Sequence, residues 1–234
     1  MTKRFDAILF DADGVLQTTD EKWWFALTDL IGPSDPDRVQ RFLGDIMIAE
    51  LPALAGSTTF VGPLAEVLRR WQVTIPASDV LSMWQHIEVD SSMISAIREL
   101  TAQGVRCALA TNQHPERAAY MRETLGYDEV FAELFYSCDE GVAKPDPAFF
   151  SRAVERLAVA PQRTMFVDDN RDNVSGAREA GLVAELFARD GGRPELERIL
   201  AAHDIPLGAT TSGVPGGRPP WPTSSNGRFP PAQM

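Results

Sequence analysis

The sequence has little of what several common classes of protein require. Its 234 residues include only two cysteines, Cys107 and Cys138, and no paired-cysteine spacing. We therefore expect no disulfide framework and no zinc site, and we interpret both thiols as reduced in a cytoplasmic protein. No apolar run approaches the ~20 residues that a membrane span needs, and the first residues lack the long apolar region of a signal peptide.

Positive charge is also scarce. Lysine and arginine total 22 against 33 aspartate and glutamate residues, which gives a formal net charge of -11. This balance argues against nucleic acid and anionic membranes as partners. It does not argue against a phosphorylated small molecule, because a metal ion and a few placed cations can reverse the sign of the field locally.

What is present is an ordinary globular composition with alternating elements. Apolar, strand-like runs lie at 7–9, 105–110, 134–137, 164–167 and 183–187, and from residue 89 onward helical patterns separate them. Strands spaced by helices pair in parallel, so the sequence predicts an α/β fold with a Rossmann-like, doubly wound sheet.

Two regions depart from this alternation. Residues 17–88 contain helical patterns and no convincing strand, which predicts an all-helical insert of about 70 residues after the first strand. Residues 208–234 are rich in proline and glycine and hold no acidic residue, which is typical of a disordered tail. The predicted organisation is a core of 1–16 and 89–207, a helical domain of 17–88, and a tail of 208–234.

The first predicted strand runs directly into two carboxylates, Asp11 and Asp13, and Gly14 allows a sharp turn after them. Two like charges this close repel, so a cation or a shared proton is needed to hold them in a buried site. A hard divalent ion such as Mg²⁺ suits these oxygen ligands. Taken alone, the same residues are also compatible with a turn that caps the next helix.

Two further strand ends, and the segment that follows a third strand, also carry polar groups. In a parallel sheet these ends meet at one edge, where open α/β folds bind ligands. Phosphoryl transfer needs such a set: a carboxylate nucleophile, a second carboxylate that moves a proton, and cations that neutralise the phosphoryl oxygens. The groups concerned are Thr111 and Asn112, Lys144, the pair Asp168 and Asp169, and Asn173.

These four motifs, in this order, resemble the haloacid dehalogenase (HAD) superfamily over residues 5–207. The resemblance implies that Asp11 is the nucleophile and a metal ligand. It implies that Asp13 is the general acid and base, with its backbone carbonyl on Mg²⁺. By the same resemblance Thr111 and Lys144 bind phosphate beside Asn112, Asp169 is the second side-chain metal ligand, Asp168 orients Lys144 or a metal-bound water, and Asn173 stands where some members carry an acid.

The helical insert resembles the subclass I cap of this superfamily, which closes over the core and selects the substrate. An acid at Asp13 argues against carbon–halogen cleavage, since the dehalogenases of the superfamily lack it. The resemblance predicts a Mg²⁺-dependent phosphatase for a small sugar or polyol phosphate, acting through an aspartyl phosphate, as a monomer or homodimer. Alternatives are a phosphomutase of the β-phosphoglucomutase type and a non-catalytic binding protein. His114 and His203 are expected at the surface.

Overall fold

The computed structural model describes residues 4–19, 21–32, 34–189 and 191–207, without the side chains of 21–24. The predicted tail at 208–234 lies outside the described residues.

A five-stranded parallel sheet forms the core. Its strands are β1 (Ala7–Phe10), β4 (Arg106–Thr111), β5 (Glu133–Tyr136), β6 (Thr164–Asp168) and β7 (Val183–Leu186). The order across the sheet is β5-β4-β1-β6-β7. β1 is central, and all four of its residues are buried. Chain order reverses on either side of β1, which is the topological switch point where ligands bind in such sheets.

Residues 17–88 were expected to contain no strand, and that expectation is wrong. β2 (Gln17–Thr19) pairs antiparallel with β3 (Ile87–Val89) where the chain enters and leaves the helical insert. Three residues are too few for a periodic pattern to be recognised, and the pairing joins segments about 70 residues apart.

Between these two short strands the chain is helical. The insert contains α1 (Glu21–Asp29), α2 (Pro36–Leu54), α3 (Val61–Arg70), α4 (Ala77–Leu81) and a 3-10 turn at Ser82–Gln85. These helices bury a hydrophobic cluster of their own, which includes Leu27, Phe42, Ile46, Leu64 and Leu68. The insert therefore has a core separate from that of the sheet.

Helices cover both faces of the sheet. They are α5 (Ser91–Ala102), α6 (Pro115–Glu123), α7 (Ser137–Glu140), α8 (Pro147–Leu157), α9 (Arg171–Glu179) and α10 (Gly192–Ala201). 3-10 turns lie at Tyr127–Glu129 and Pro161–Arg163. One hydrophobic cluster holds residues of α5, α6 and α10, and the other holds residues of α8 and α9. The predicted α/β, Rossmann-like class is confirmed.

The insert is fastened to the sheet domain by polar contacts. The Glu116 carboxylate accepts from the backbone amides of Phe60 at 3.0 Å and Val61 at 3.3 Å, at the beginning of α3. A carboxylate is favoured there because a helix N-terminus leaves amides unpaired. Nearby, Gly56 has a φ of +70° and lies so close to the Cys138 carbonyl that a side chain would not fit.

Cys107 and Cys138 are free, as expected, and Cys107 is buried in β4. None of the helices in the described part of the chain combines the length and apolar character that a membrane span requires.

Candidate active site

Lys144 lies between two carboxylates at the carboxyl edge of the sheet. Its Nζ donates to Asp11 Oδ1 at 2.8 Å and to Asp168 Oδ2 at 2.7 Å. Asp11 follows the end of β1 and Asp168 ends β6, the neighbouring strand. The lysine reaches both strand ends from the segment before α8, and only 4% of it is exposed. The structure thus brings together three residues that are far apart in sequence.

Burial dominates the electrostatics of this cluster. It raises the pKa of Asp11 to about 7, an effect that Lys144 opposes and that the nearby Asp168 charge reinforces. Burial lowers the pKa of Lys144, but the two carboxylates outweigh it and the net shift is upward. One lysine therefore does not fully compensate the acids around it, which is the condition in which a bound cation stabilises a site.

The two adjacent aspartates differ in their surroundings. Asp168 is fully buried, and besides Lys144 it accepts from Asn173 Nδ2 at 3.0 Å and the Asn170 amide at 2.7 Å. Asp169 accepts from Arg189 Nε at 2.6 Å, and 70% of the Arg189 side chain is exposed. Asp169 is therefore held by a partner that can move into solvent, whereas Asp168 is fixed on three sides.

Three carboxylates can share a metal ion. One oxygen from each of Asp11, Asp168 and Asp169 lies within 4.8 Å of the others. An all-oxygen donor set of this charge suits Mg²⁺. Gly14 makes the close approach possible: its φ is +84°, and a Cβ there would collide with the Asp169 carboxylate. The residues present therefore fit the expected ion.

Asp13 points into a different network. Both of its oxygens accept from Arg117, Oδ2 from one terminal nitrogen at 2.6 Å and Oδ1 from the other at 2.8 Å. Gln17 Nε2 and Gln113 Nε2 donate to it at 2.9 and 2.8 Å. Burial raises the pKa of Asp13, but the Arg117 charge and these hydrogen bonds outweigh it and lower the pKa to about 2. Asp13 is ionised in this arrangement.

Thr111 and Asn112 lie at the end of β4, as the sequence predicts. Thr111 is buried, and its hydroxyl accepts from Gln113 Nε2 at 3.0 Å. The Asn112 side chain forms two hydrogen bonds with the backbone of Lys144: Nδ2 donates to the carbonyl at 2.8 Å, and Oδ1 accepts from the amide at 2.9 Å. Asn112 thereby positions the segment that carries Lys144.

Sequence reasoning missed Arg117, Gln113 and Gln17. The available signal for Arg117 was Pro115, which fits the first helical turn and so starts α6 immediately after the Thr111 motif. The expectation that His114 is solvent-exposed is wrong, because it is 1% exposed and packs against Phe60.

His203 is also buried, contrary to expectation. Its Nε2 lies 2.6 Å from Glu185 Oε1, and its ring packs edge-on against Phe5 at a centroid distance of 5.5 Å. Both histidines were misplaced for the same reason: a polar partner and an aromatic neighbour that the local sequence does not reveal make their burial possible.

Comparison with known proteins shows the family of this chain. A sequence model of the haloacid dehalogenase-like hydrolases matches residues 5–181. The chain belongs to this family. A HAD-family enzyme from Bacteroides thetaiotaomicron, solved with magnesium and inorganic phosphate, shares the fold with a TM-score of 0.64 at 17% identity, covering 78% of this chain and 94% of that one.

Two curated relatives from the same comparisons are phosphatases. The sesquiterpene phosphatase astK of Aspergillus oryzae is 30% identical over 116 residues, which cover 48% of this chain and 59% of that protein. The phosphorylated carbohydrates phosphatase of Thermotoga maritima is 26% identical over 182 residues, which cover 76% and 82% of the two chains. The match to astK thus spans less than two thirds of that relative.

Proposed function

We propose that this HAD-like hydrolase is a Mg²⁺-dependent phosphatase that acts on a small phosphorylated metabolite through an aspartyl phosphate. The observation that carries the proposal is the cluster at the end of β1, where Asp11 lies 2.8 Å from Lys144 Nζ and shares a metal-sized space with Asp168 and Asp169. A nucleophile, a cation and a metal-binding donor set are the parts that phosphoryl transfer needs.

The reaction proceeds in two steps, formation and hydrolysis of the aspartyl phosphate. A carboxylate oxygen of Asp11 attacks phosphorus, an aspartyl-phosphate bond forms, and the ester bond to the leaving oxygen breaks. Asp13, which first takes up a proton from solvent, gives that proton to the leaving oxygen, so the alcohol leaves neutral. Asp13 then takes a proton from water, which attacks the phosphorus, releases phosphate and restores Asp11. Lys144 and Thr111 hold the phosphoryl oxygens throughout.

The proposed ion would be held by the side chains of Asp11 and Asp169 and by the backbone carbonyl of Asp13. When bound it supplies positive charge to the phosphoryl oxygens. Asp168 keeps Lys144 in place, and Asn173 in turn holds Asp168. Asn112 fixes the backbone of Lys144.

The helical insert and the substrate class are part of the same proposal. The helical insert, expected at 17–88, acts as a cap that excludes water and chooses the substrate. The chain acts in the cytoplasm as a monomer or homodimer. The similarity to a phosphatase of phosphorylated carbohydrates supports a sugar or polyol phosphate as the substrate class.

The test is phosphate release from a panel of phosphate monoesters, with Mg²⁺ and with chelator, for the wild type and Asp11→Asn. We expect metal-dependent release that Asp11→Asn abolishes. Glu66→Gln is a matched control, because Glu66 is an exposed insert carboxylate paired with Arg69. Isomerisation of a hexose 1-phosphate without net phosphate release would identify a mutase instead. Absence of any reaction from folded, metal-loaded protein would remove the enzymatic proposal.

A further inference from the structure

His114 is a buried histidine whose two ring nitrogens have different surroundings. Nδ1 lies 3.0 Å from Glu116 Oε2. Because an ionised carboxylate can only accept, we assign the ring proton to Nδ1. The Arg117 amide also points toward this nitrogen, but at 3.3 Å it is the longer contact. The Phe60 and Trp84 rings lie against the imidazole, at centroid distances of 5.0 and 6.3 Å, so its orientation is fixed.

The second nitrogen of His114 has no hydrogen-bond partner within the part of the chain that the structure describes. This nitrogen, Nε2, is nevertheless fully enclosed. Burial lowers the pKa of His114 to about 4, even though Glu116 opposes the shift. The ring is therefore neutral near pH 7, and Nε2 presents a lone pair. A buried acceptor that is left unmatched costs stability, and such an atom in a native protein calls for a partner.

The group facing this nitrogen is the Glu50 carboxyl, which accepts hydrogen bonds when it is ionised. Glu50, on α2 of the insert, places Oε1 4.0 Å from His114 Nε2, which is too far for a hydrogen bond. Burial raises the pKa of Glu50 to about 7, an effect that Arg117 opposes and Asp13 reinforces. When Glu50 is ionised, two acceptors therefore face one another, and a ligand with hydrogen-bond donors would satisfy them.

This gap adjoins the proposed reaction centre. Arg117, which binds Asp13, follows His114 by three residues, less than one turn of about 5.4 Å along α6. Arg117 Nε also donates at 2.9 Å to the carbonyl of Trp84, the residue whose ring lies against His114. The Asp13 and Glu50 side chains keep 35% and 19% of their surface exposed, so neither is sealed from a ligand. Arg117 and Asp13 both act on the pKa of Glu50, so Glu50 lies within electrostatic reach of the Asp13–Arg117 pair.

We propose that Glu50 and His114 form the subsite that recognises the leaving group, and that they select one carrying hydroxyl or ammonium donors close to the phosphate ester. This inference rests on the proposed phosphatase function for its direction, since it places the leaving group on the Asp13 side. Glu50 comes from the insert and His114 from the sheet domain, so the subsite exists only when the insert lies against the core. The same pair of residues therefore recognises the substrate and requires the insert to lie against the sheet domain.

The experiment measures binding separately from turnover. The full-length Asp11→Asn chain, with Mg²⁺, is titrated calorimetrically with glycerol 3-phosphate, phosphoethanolamine and propyl phosphate. We expect at least one of the two donor-bearing esters to bind about tenfold more tightly than propyl phosphate, the order of one hydrogen bond to a charged group. Adding Glu50→Gln should reduce this preference to about threefold or less, while binding of propyl phosphate stays unchanged.

Two further variants make the result decisive. Glu66→Gln removes an insert carboxylate that is exposed and paired with Arg69, and it should keep the full preference. His114→Phe removes the unpartnered nitrogen, and this variant should lose the preference for donor-bearing esters. The donor-bearing ester that responds to Glu50→Gln identifies the hydroxyl or the ammonium as the recognised group.

The experiments distinguish failure of the subsite from failure of the phosphatase function. Equal binding of the three esters, a preference that survives Glu50→Gln, tighter binding of propyl phosphate, or no binding of any ester would each overturn the subsite. A preference that depends on Glu50, in a chain whose wild type releases no phosphate from any ester, would uphold the subsite and refute the phosphatase.

Discussion

Arg117 binds both oxygens of Asp13 with its two terminal nitrogens, at 2.6 and 2.8 Å. This fork orients the carboxylate, and it also holds the group that we propose as the general acid in its ionised form. Arg117 is itself secured by the Trp84 carbonyl and by Gln113 Oε1, each at 2.9 Å. The orientation of Asp13 is therefore set by a residue that none of the four sequence motifs contains.

Replacing Arg117 tests this positioning role. In Arg117→Met we expect kcat to fall by about tenfold or more, because Asp13 loses its fixed orientation, while KM changes less. The free energy of unfolding should drop by roughly 2 kcal/mol, since the Trp84 carbonyl and Asp13 lose buried donors. Steady-state kinetics and urea unfolding measure the two effects.

Arg117→Lys provides the matched control. Lysine keeps the charge but cannot form the two-pronged contact, so it should regain part of the stability and little of kcat. An undiminished kcat in Arg117→Met would show that the ion pair is structural, and an increased kcat would show that Arg117 restrains the acid.

The difference between Asp168 and Asp169 leads to a second prediction. Asp169→Asn should weaken Mg²⁺ binding about tenfold or more and change the stability of the metal-free protein little, because the Arg189 side chain that donates to Asp169 is exposed and can turn to water instead. Asp168→Asn should destabilise the metal-free protein, since Lys144 loses a charged partner and one of the two acceptor oxygens of Asp168 is replaced by a donor. Thermal unfolding across a Mg²⁺ series measures both, because a ligand that binds only the folded state raises the melting temperature.

The two variants serve as controls for each other. If Asp168→Asn abolishes the Mg²⁺-induced stabilisation and Asp169→Asn leaves it intact, the assignment of the direct ligand must be exchanged.

The third prediction concerns the stability that buried Lys144 provides. Lys144→Met leaves Asp11 and Asp168 facing each other without their cation, and the Asp168 side chain is fully enclosed. Removing one partner of a buried ion pair costs about 3–5 kcal/mol. We expect a loss of this order in urea unfolding without Mg²⁺ and a smaller loss when Mg²⁺ is present. The double variant Lys144→Met/Asp168→Asn should be more stable than Lys144→Met alone, and equal stability would contradict the role of repulsion.

Features that depend on neighbouring residues in the sequence are predictable here, whereas contacts between distant segments are not. The strands that end at Asp11, Thr111 and Asp168 are recognisable because buried apolar runs and the residues after them are local signals. Because parallel strands end at the same edge of a sheet, these residues are then predicted to lie together without further information. Lys144 follows from its motif, although its contact with both carboxylates does not.

The remainder depends on contacts between distant segments. The pairing of β2 with β3 joins the two ends of the insert, and the approach of Glu50 to His114 joins the insert to the sheet domain. Neither contact leaves a periodic pattern. The burial of His114 depends on Phe60 and Trp84, which come from the insert. Sequence pattern alone therefore located the catalytic edge of the sheet but not the residues that face it from the helical side.

The opposed titrations of His114 and Glu50 give a fourth prediction. His114 has a folded pKa of about 4, below its ordinary 6.5. Between these values the unfolded chain binds a proton that the folded chain does not, so this group removes stability as pH falls through that range. Glu50 has a folded pKa of about 7, above its ordinary 4.5. It adds stability as pH falls from 7 toward 4.5, because the folded state binds the extra proton.

The two contributions nearly cancel in the wild type, since each spans about 2.5 pH units, or roughly 3 kcal/mol. Glu50→Gln removes only the stabilising one. Between pH 7 and 4.5 its free energy of unfolding should therefore fall by roughly 3 kcal/mol more than that of the wild type. Glu66→Gln, at an exposed position, should follow the wild-type curve. Urea unfolding at closely spaced pH values measures the slopes, and parallel curves for Glu50→Gln and the wild type would show that Glu50 titrates normally in the folded protein.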